Sequence, residues 1–475
     1  MKKRIKDTLK ERLEAVQAGK SRQHFHLMAD IGWISDPNGF AVHDGTVHIF
    51  HQYTPAADRG LSKSWGHYTT KDWKHFIDEG TLMVPDCRLD KDGCYSGSGY
   101  SKDGTLHLFY TGNILEDGVF DYIYEGRGHY VNHLASKDGR TFGPKECLLV
   151  NEDYPANMSC HVRDPKVADT RGLTAMVLGA RTRDDRGCAL LYKADPKAKG
   201  GFSLLQVIDS KKPFGYMWEC PDLFELDGQL FLLCCPQGVK TEGHNYENVY
   251  QNGVFSLSGS LEDGRLAAGE FQELDHGFDF YAPQTMLDDQ GRRILIGWMG
   301  MPDADYTNPE TAEGWQHCLT LPRELTNHDG QVWSYPIREV LDLAYDQQAI
   351  HLASGREIRL DQPQFMLDLN IDQQPFTLKI RNDLSIVWDG KVLTFAPGSS
   401  GAGRKERHID TKSISSLQIF SDTSSVELFV NYGQYALSSR IYDAGKEHGI
   451  QSNIPLDGTL ARMDSIEIDY QPALD

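Results

Sequence analysis

Five short turns, spread almost evenly over some three hundred residues, constrain the fold of this chain more than any other feature of its sequence. "HDGTVHIF" (43–50), "KDGTLHLF" (102–109) and "LDGQLFLL" (226–233) follow one plan, a tight turn ending in glycine that feeds an apolar strand; "TRGLTAMV" (170–177) and "DQGRRILI" (289–296) are weaker copies. Such turns need positive φ, which glycine adopts without steric cost, so each copy predicts a β-hairpin. The turn glycines Gly45, Gly104, Gly172, Gly228 and Gly291 lie 59, 68, 56 and 63 residues apart. Four strands of about 5 to 6 residues with their connections fit each interval, and helical periodicity is largely missing between residues 30 and 335. A β-sandwich or barrel would also use such turns, but the regular period favours a five-bladed β-propeller.

Eight or nine residues before the turn glycines stand Asp36, Tyr95-Ser96, Asp164, Glu219 and Ala282. In a propeller the strand entering the first hairpin of a blade is the innermost, and its start lies at one mouth of the central channel. This shared phase therefore aims Asp36, Asp164 and Glu219 at one funnel. Prolines at 37, 165 and 221 follow closely, as suits strand entries, because proline cannot donate to a sheet ladder. Clustered acids either bind a hard cation or split a glycosidic bond as an acid and base pair. Arg163 beside Asp164 makes a metal less welcome and is expected to keep Asp164 ionised. Trp33, Trp65, Tyr95, Trp218, Tyr281 and Trp298 supply flat apolar faces suited to sugar rings, with Trp218 expected to shield Glu219. Together these features favour a carbohydrate.

With 475 residues the chain is too long for one compact domain, and two are expected. No apolar run approaches the ~20 residues of a membrane helix. A formal net charge of −20 argues against nucleic acid and anionic membranes as partners. The nine cysteines are irregularly spaced and show no paired CxxC signature, which points to reduced thiols in the cytosol and to no metal site. Ile5, Leu9, Leu13 and Val16 form a helical stripe in the first twenty residues, where a secretory apolar region is absent. Past Val340 the blade pattern ends. Short alternating stretches at 376–381, 385–388 and 426–430 read as sandwich strands, and "APGSSGAGRKERHID" (396–410) as a mobile loop. The expected organisation is all-β: a helical segment at 1–21, a five-bladed propeller at 22–340, a linker at 341–352 and a β-sandwich at 353–475.

The ordered motifs "WISDPNGF" (33–40), "FHQYTP" (50–55), "WGHYTTKDWKHF" (65–76), "YSGS" (95–98), "RDPK" (163–166), "WECPDLF" (218–224), "FDFYAPQT" (278–285), "ILIGWM" (294–299), "LTLPREL" (319–325) and "SDTSSVELFVNYGQ" (421–434) resemble glycoside hydrolase family 32 over nearly the whole chain. That family comprises invertases, sucrose-6-phosphate hydrolases, inulinases and levanases, with a five-bladed propeller followed by a β-sandwich. The resemblance implies Asp36 as nucleophile, Glu219 as general acid and base, and Asp164 as a stabiliser of fructosyl hydroxyls. It places Trp33, Gln52, Trp65, Tyr95, Ser96, Arg163 and Trp298 around the fructose and Tyr281 near the acid. Ser35 stands where the family commonly has Asn, a shorter side chain with a single hydroxyl, and Thr423 where it usually has Arg.

The activity so implied is a cofactor-free, retaining β-fructofuranosidase with a small sugar as its only partner, acting in the cytosol on sucrose or sucrose 6-phosphate. Short imported fructo-oligosaccharides are the next substrate class. An inverting arabinan or xylan hydrolase and a non-catalytic sugar-binding propeller fit the motifs less well, the latter because both Asp36 and Glu219 are retained. A substrate phosphate would meet the funnel rim, where Arg127, His129, Arg181 and Arg183 are the candidate cations.

Overall fold

The turns close as their sequences require. Asp44-Gly45, Asp103-Gly104, Arg171-Gly172 and Asp227-Gly228 have positive φ at both central residues (47° and 68°, 50° and 65°, 50° and 76°, 48° and 80°), the geometry whose twist matches that of the paired strands. The fifth is longer: Gly291 (φ 80°) lies in a loop closed by the Asp288 N–H donating to the Arg292 carbonyl at 3.0 Å. In the computed structural model, which describes residues 13–55 and 63–470, these hairpins seed five antiparallel sheets. Their innermost strands are Gly32–His43, Cys94–Lys102, Met158–Thr170, Met217–Leu226 and Tyr281–Leu287, each packed against the next around a ring. The fold is a five-bladed propeller followed by a β-sandwich.

A blade is buried on both faces, so its strands read as continuous apolar runs such as Leu230 to Leu233, all at most 1% exposed. The core is accordingly divided into wedges between neighbouring blades. Phe50, Trp65 and Leu108 fill the first, Phe109, Met176 and Leu190 the second, Val177, Trp218 and Phe255 the third, Phe224, Phe231 and Leu295 the fourth, and Ile34, Ile49 and Ile296 the last.

Blade one carries two additions. Trp315–Gln316, from a long insertion in blade five, pairs in parallel with Gly32 and Trp33 at its inner edge. Glu467–Tyr470 pairs in parallel with the outer strand His75–Met83, so the chain returns to the propeller after the sandwich. That return is absent from the sequence expectation, which assigned everything past 353 to the sandwich.

The sandwich consists of two six-stranded sheets whose facing side chains, among them Leu367, Leu378, Trp388, Phe395, Ile419 and Leu428, form its core. Two further expectations fail here. The supposed linker contains the strand Ala344–Leu352, paired with Leu456–Met463 in a sandwich sheet, because the connection itself is only the single helical turn Arg338–Leu341. The supposed mobile loop 396–410 is anchored: Arg404, wholly buried, donates to both oxygens of Asp279 (2.7 and 2.8 Å), and Arg407–Asp410 forms a strand. In the N-terminal segment residues 13–17 are helical and Val16 is buried against Met28 and Trp315; Ile5 and Leu9 lie outside the described residues.

A buried charge network joins the domains. Arg323 of the propeller donates to Asp275 (2.9 Å), to Glu427 of the sandwich (2.5 Å) and to Ser438 (2.6 Å). His26 bridges Asp422 (2.7 Å) and Glu427 (3.0 Å). The side chains of Arg323, Asp275, Glu427, His26 and Asp422 are all 0% exposed. Removing one charge from such a network strands its partners without solvation. Arg323→Met is expected to lose about 3–5 kcal/mol of stability, read as a markedly lower thermal midpoint; an unchanged midpoint would show that the network does not hold the domains.

Candidate active site

Strand pairing breaks at the same level in every inner strand. Ser35 and Asp36 together oppose Gln52, Ser96 is extra between the pairs Tyr95–Thr111 and Gly97–Tyr110, Asp164 and Pro165 oppose Leu178, Cys220 and Pro221 oppose Cys234, and Ala282 and Pro283 oppose Gly297. Each is a β-bulge, a device that bends a strand and re-aims its side chains. Asp164, Cys220 and Ala282 take left-handed φ of 64°, 47° and 48°, which a non-glycine residue adopts only at a cost. The three carboxylates thus share a bulge and not a single phase, as the turn spacing had suggested: Asp36 and Asp164 lie within theirs, and Glu219 directly precedes its own.

The bulges surround a cavity of about 150 Å³ lined by Asp36, Lys63, Tyr95, Ser96, Arg127, His129, His161, Arg163, Asp164, Glu219 and Cys220. The Ser96 hydroxyl donates to Asp36 at 2.6 Å. Asp164 accepts the Cys220 N–H at 2.9 Å while its own N–H donates to the Thr111 hydroxyl at 2.8 Å, which straps blades two, three and four together. Glu219 receives Tyr281 at 2.6 Å and Gln237 at 2.7 Å on one oxygen, and the Arg163 Nε (3.1 Å) and Nη2 on the other.

Arg163 therefore commits itself to Glu219; its Nε stands 3.9 Å from the nearer oxygen of Asp164. This corrects the expectation that Arg163 keeps Asp164 ionised. Burial, with the charges of Glu219 and Asp36, outweighs the guanidinium and pushes the Asp164 carboxyl up to about 7. Trp218 is also displaced from its expected role: its ring stacks on Phe255 at 4.8 Å in the wedge between blades three and four, and its N–H donates to the Phe214 carbonyl, so it faces away from Glu219's neighbours in the cavity.

Of the remaining expected sugar contacts, Trp33, Tyr281 and Trp298 form an apolar wall with Cys220 and Met301, Trp33 meeting Trp298 edge to face at 5.8 Å. Trp65 is wholly buried and donates to the Tyr95 carbonyl at 3.2 Å, and Gln52 donates to the Cys94 carbonyl at 2.9 Å, so both fix the backbone that carries the cavity residue Tyr95. The Trp33 and Trp298 N–H groups, the Ser35 hydroxyl and the Gln52 Oε1 are buried without a hydrogen-bond partner among the described residues.

Among the four rim candidates, Arg127 and His129 line the cavity. His129 is buried, and with Arg163 beside it its pKa is held well below the usual imidazole range. Arg181 is engaged by Asp185 (2.7 Å) and lies over the Tyr216 ring, and Arg183 is exposed. Sequence reasoning missed Lys63, whose ammonium sits 5.0 Å above Tyr95 and 5.8 Å above Trp33, and His161. Neither stands in a repeated turn or in a quoted motif; only proximity to "WGHY" and "RDPK" could have flagged them.

Paired acids in a propeller funnel beside an aromatic wall define a glycoside hydrolase. Residues 26–336 match the model for the glycosyl hydrolases family 32 N-terminal domain and residues 346–459 that for the family 32 C-terminal domain. The chain belongs to glycosyl hydrolase family 32. It is 36% identical over 473 residues to a sucrose-6-phosphate hydrolase of Bacillus subtilis (strain 168), covering 95% of each chain, and 36% identical over 455 residues to a raffinose invertase of Escherichia coli, covering 91% of this chain and 92% of that one. The structure of sucrose-6-phosphate hydrolase from Lactobacillus gasseri superposes with a TM-score of 0.87 at 26% identity over 97% and 96% of the two chains. A Bombyx mori family 32 beta-fructofuranosidase does so at 0.84 and 27% over 98% of each.

The raised Asp164 carboxyl has a stability consequence. Between the ordinary value near 4 and about 7 the unfolded chain binds fewer protons at this site than the native one, so native stability falls as pH rises through that window. Asp164→Asn, which cannot ionise, is expected to melt above the parent protein at pH 8 and close to it at pH 4. Equal midpoints at pH 8 would contradict the shift.

Proposed function

We propose that this chain is a retaining β-fructofuranosidase that hydrolyses the terminal β-fructofuranosyl bond of sucrose or sucrose 6-phosphate. The observation carrying this reading is the convergence of Asp36, Asp164, Glu219 and Arg163 on one cavity, in a chain whose relatives include a sucrose-6-phosphate hydrolase and a raffinose invertase. The chemistry divides between two carboxyl groups. Asp36, steadied by Ser96, attacks the anomeric carbon as the bond to the leaving oxygen breaks, and Glu219 gives that oxygen its proton. Glu219 then takes a proton from water, whose oxygen bonds to the anomeric carbon and displaces Asp36. Asp164, which keeps its proton up to about pH 7, can both donate to and accept from a fructosyl hydroxyl. The Trp33 and Trp298 N–H groups and the Ser35 hydroxyl, buried and without a partner among the described residues, would be satisfied by sugar hydroxyls, which favours a ligand rich in them. With Lys63, Arg127 and Arg163 supplying positive charge to the same cavity, the acids have no need of a hard cation.

A phosphate on the glucose side requires a fixed cation, given a net charge of −20. Lys63 and Arg127 fit best, since both line the cavity and Lys63 pairs with no carboxylate among the described residues. A cytoplasmic location agrees with nine free cysteines, seven of them buried.

Asp36→Ala and Glu219→Ala are each expected to lower kcat on sucrose at least about a thousandfold while the fold is kept; a tenth of the parent activity in the Asp36 variant would refute its role. The ratio of kcat/KM for sucrose 6-phosphate over sucrose is expected to lie well above one, and to fall about tenfold or more in Lys63→Met or Arg127→Met, as loss of a charge-assisted hydrogen bond requires. A ratio near one at low and high salt would make the chain a plain invertase.

A further inference from the structure

Arg163 uses its whole guanidinium edge. Nε and Nη2 face Glu219, and Nη1 donates to the Nδ1 of His161 at 2.5 Å. The other ring nitrogen of His161, Nε2, lies 3.2 Å from the Tyr122 carbonyl. A carbonyl only accepts, so Nε2 carries the proton and Nδ1 the lone pair, the tautomer that can receive an arginine. Burial, reinforced by Arg163, Arg127 and Arg181, pushes the imidazole down to about 2, so that lone pair is present throughout the working pH range.

The Tyr122 carbonyl is itself fixed. It lies between the strands Thr105–Leu115 and Arg127–Ser136, where the Arg127 Nε also donates to it at 3.1 Å and the neighbouring Ile123 carbonyl accepts the Cys160 N–H at 2.8 Å. The His161 ring stands edge-on to His129 at 5.5 Å and 87°.

We infer that His161 is a positioning residue: its Nδ1 sets the rotation of the Arg163 guanidinium, and through Arg163 it aims the Glu219 carboxyl at the leaving oxygen. This inference rests on the reading of Glu219 as acid and base. Without the acceptor, Nη1 becomes a buried donor with nothing to bind, and the nearest compensation is a turn of the guanidinium toward Asp164, which would release Glu219.

Substitutions at His161 and at Glu219 test it. Asparagine can place an amide oxygen near the position of Nδ1, and phenylalanine keeps the ring volume but offers no acceptor. His161→Phe is expected to lower kcat on sucrose by about tenfold to a hundredfold, and His161→Asn to stay within about threefold of the parent. In kcat/KM for an aryl β-fructofuranoside, which reads only the steps up to departure of a leaving group that needs little proton help, the deficit of His161→Phe should largely vanish. A merely structural ring predicts the reverse order, the phenylalanine variant active and the asparagine variant impaired, and that result overturns the inference, as does an undiminished deficit on the aryl substrate. Should His161→Phe fail to fold, His161→Leu serves as the variant without an acceptor. Glu219→Gln separates the two levels. If it remains active on sucrose the acid and base reading falls, and the inference with it; if it is inactive while His161→Phe is fully active, only the positioning role falls.

Discussion

The extra residue at the mouth of each inner strand is the constraint on which the site depends. In an unbroken ladder successive side chains alternate between faces, so neighbouring residues such as Arg163 and Asp164 could not both serve one cavity. The bulge breaks that alternation. It also interrupts backbone pairing, and proline at 165, 221 and 283 reduces the penalty because it brings no N–H to leave unpaired. Left-handed backbone at Asp164, Cys220 and Ala282 persists because contacts between blades over-determine it. Asn38 accepts the Gly97 N–H, Ser98 the Val167 N–H, Asp164 the Cys220 N–H and Asp222 the Thr285 N–H, a series of hydrogen bonds that links blade one through to blade five at the level of the bulges and just below.

The same economy of charge appears twice. In the cavity Asp36, Asp164 and Glu219 share space with Lys63, Arg127 and Arg163, and burial leaves the proton on Asp164 up to about pH 7 and holds His129 and His161 neutral. Between the domains, Arg323 and Arg404 meet Asp275, Glu427 and Asp279 with no exposure at all. The two regions touch. Arg404 of the sandwich lies 3.9 Å over the Tyr306 ring, and Tyr306 packs on the apolar wall formed by Trp33, Tyr281 and Trp298. The sandwich thus buttresses the pocket from outside, which gives the "SDTSSVELFV" segment a physical reason: its Asp422 and Glu427 grip His26 and Arg323 of the propeller.

Blade count and the three acids were legible because turns are local: a two-residue turn with positive φ selects glycine wherever it occurs, and a repeated domain repeats the signal. What was not legible depends on contacts distant in sequence. Nothing near Arg163 says that it turns to Glu219, 56 residues on, in preference to its neighbour Asp164. Nothing in a glycine- and serine-rich stretch says that Arg404 finds Asp279, 125 residues away. Trp218 looks like a sugar platform beside Glu219, yet the alternation of the strand just before its bulge sends the two side chains to opposite faces. Lys63 and His161 belong to no period and were found only in space.

The closing strand Glu467–Tyr470 orders events in time. His75 and its partner Glu467 are 392 residues apart, roughly 20 to 80 s of synthesis at ~5–20 residues per second. Throughout that interval the first blade made has a bare outer edge at His75–Met83, open to pairing with any other extended segment. The oldest blade is the last to be finished, and a newborn chain must keep that edge from strangers until its own tail arrives.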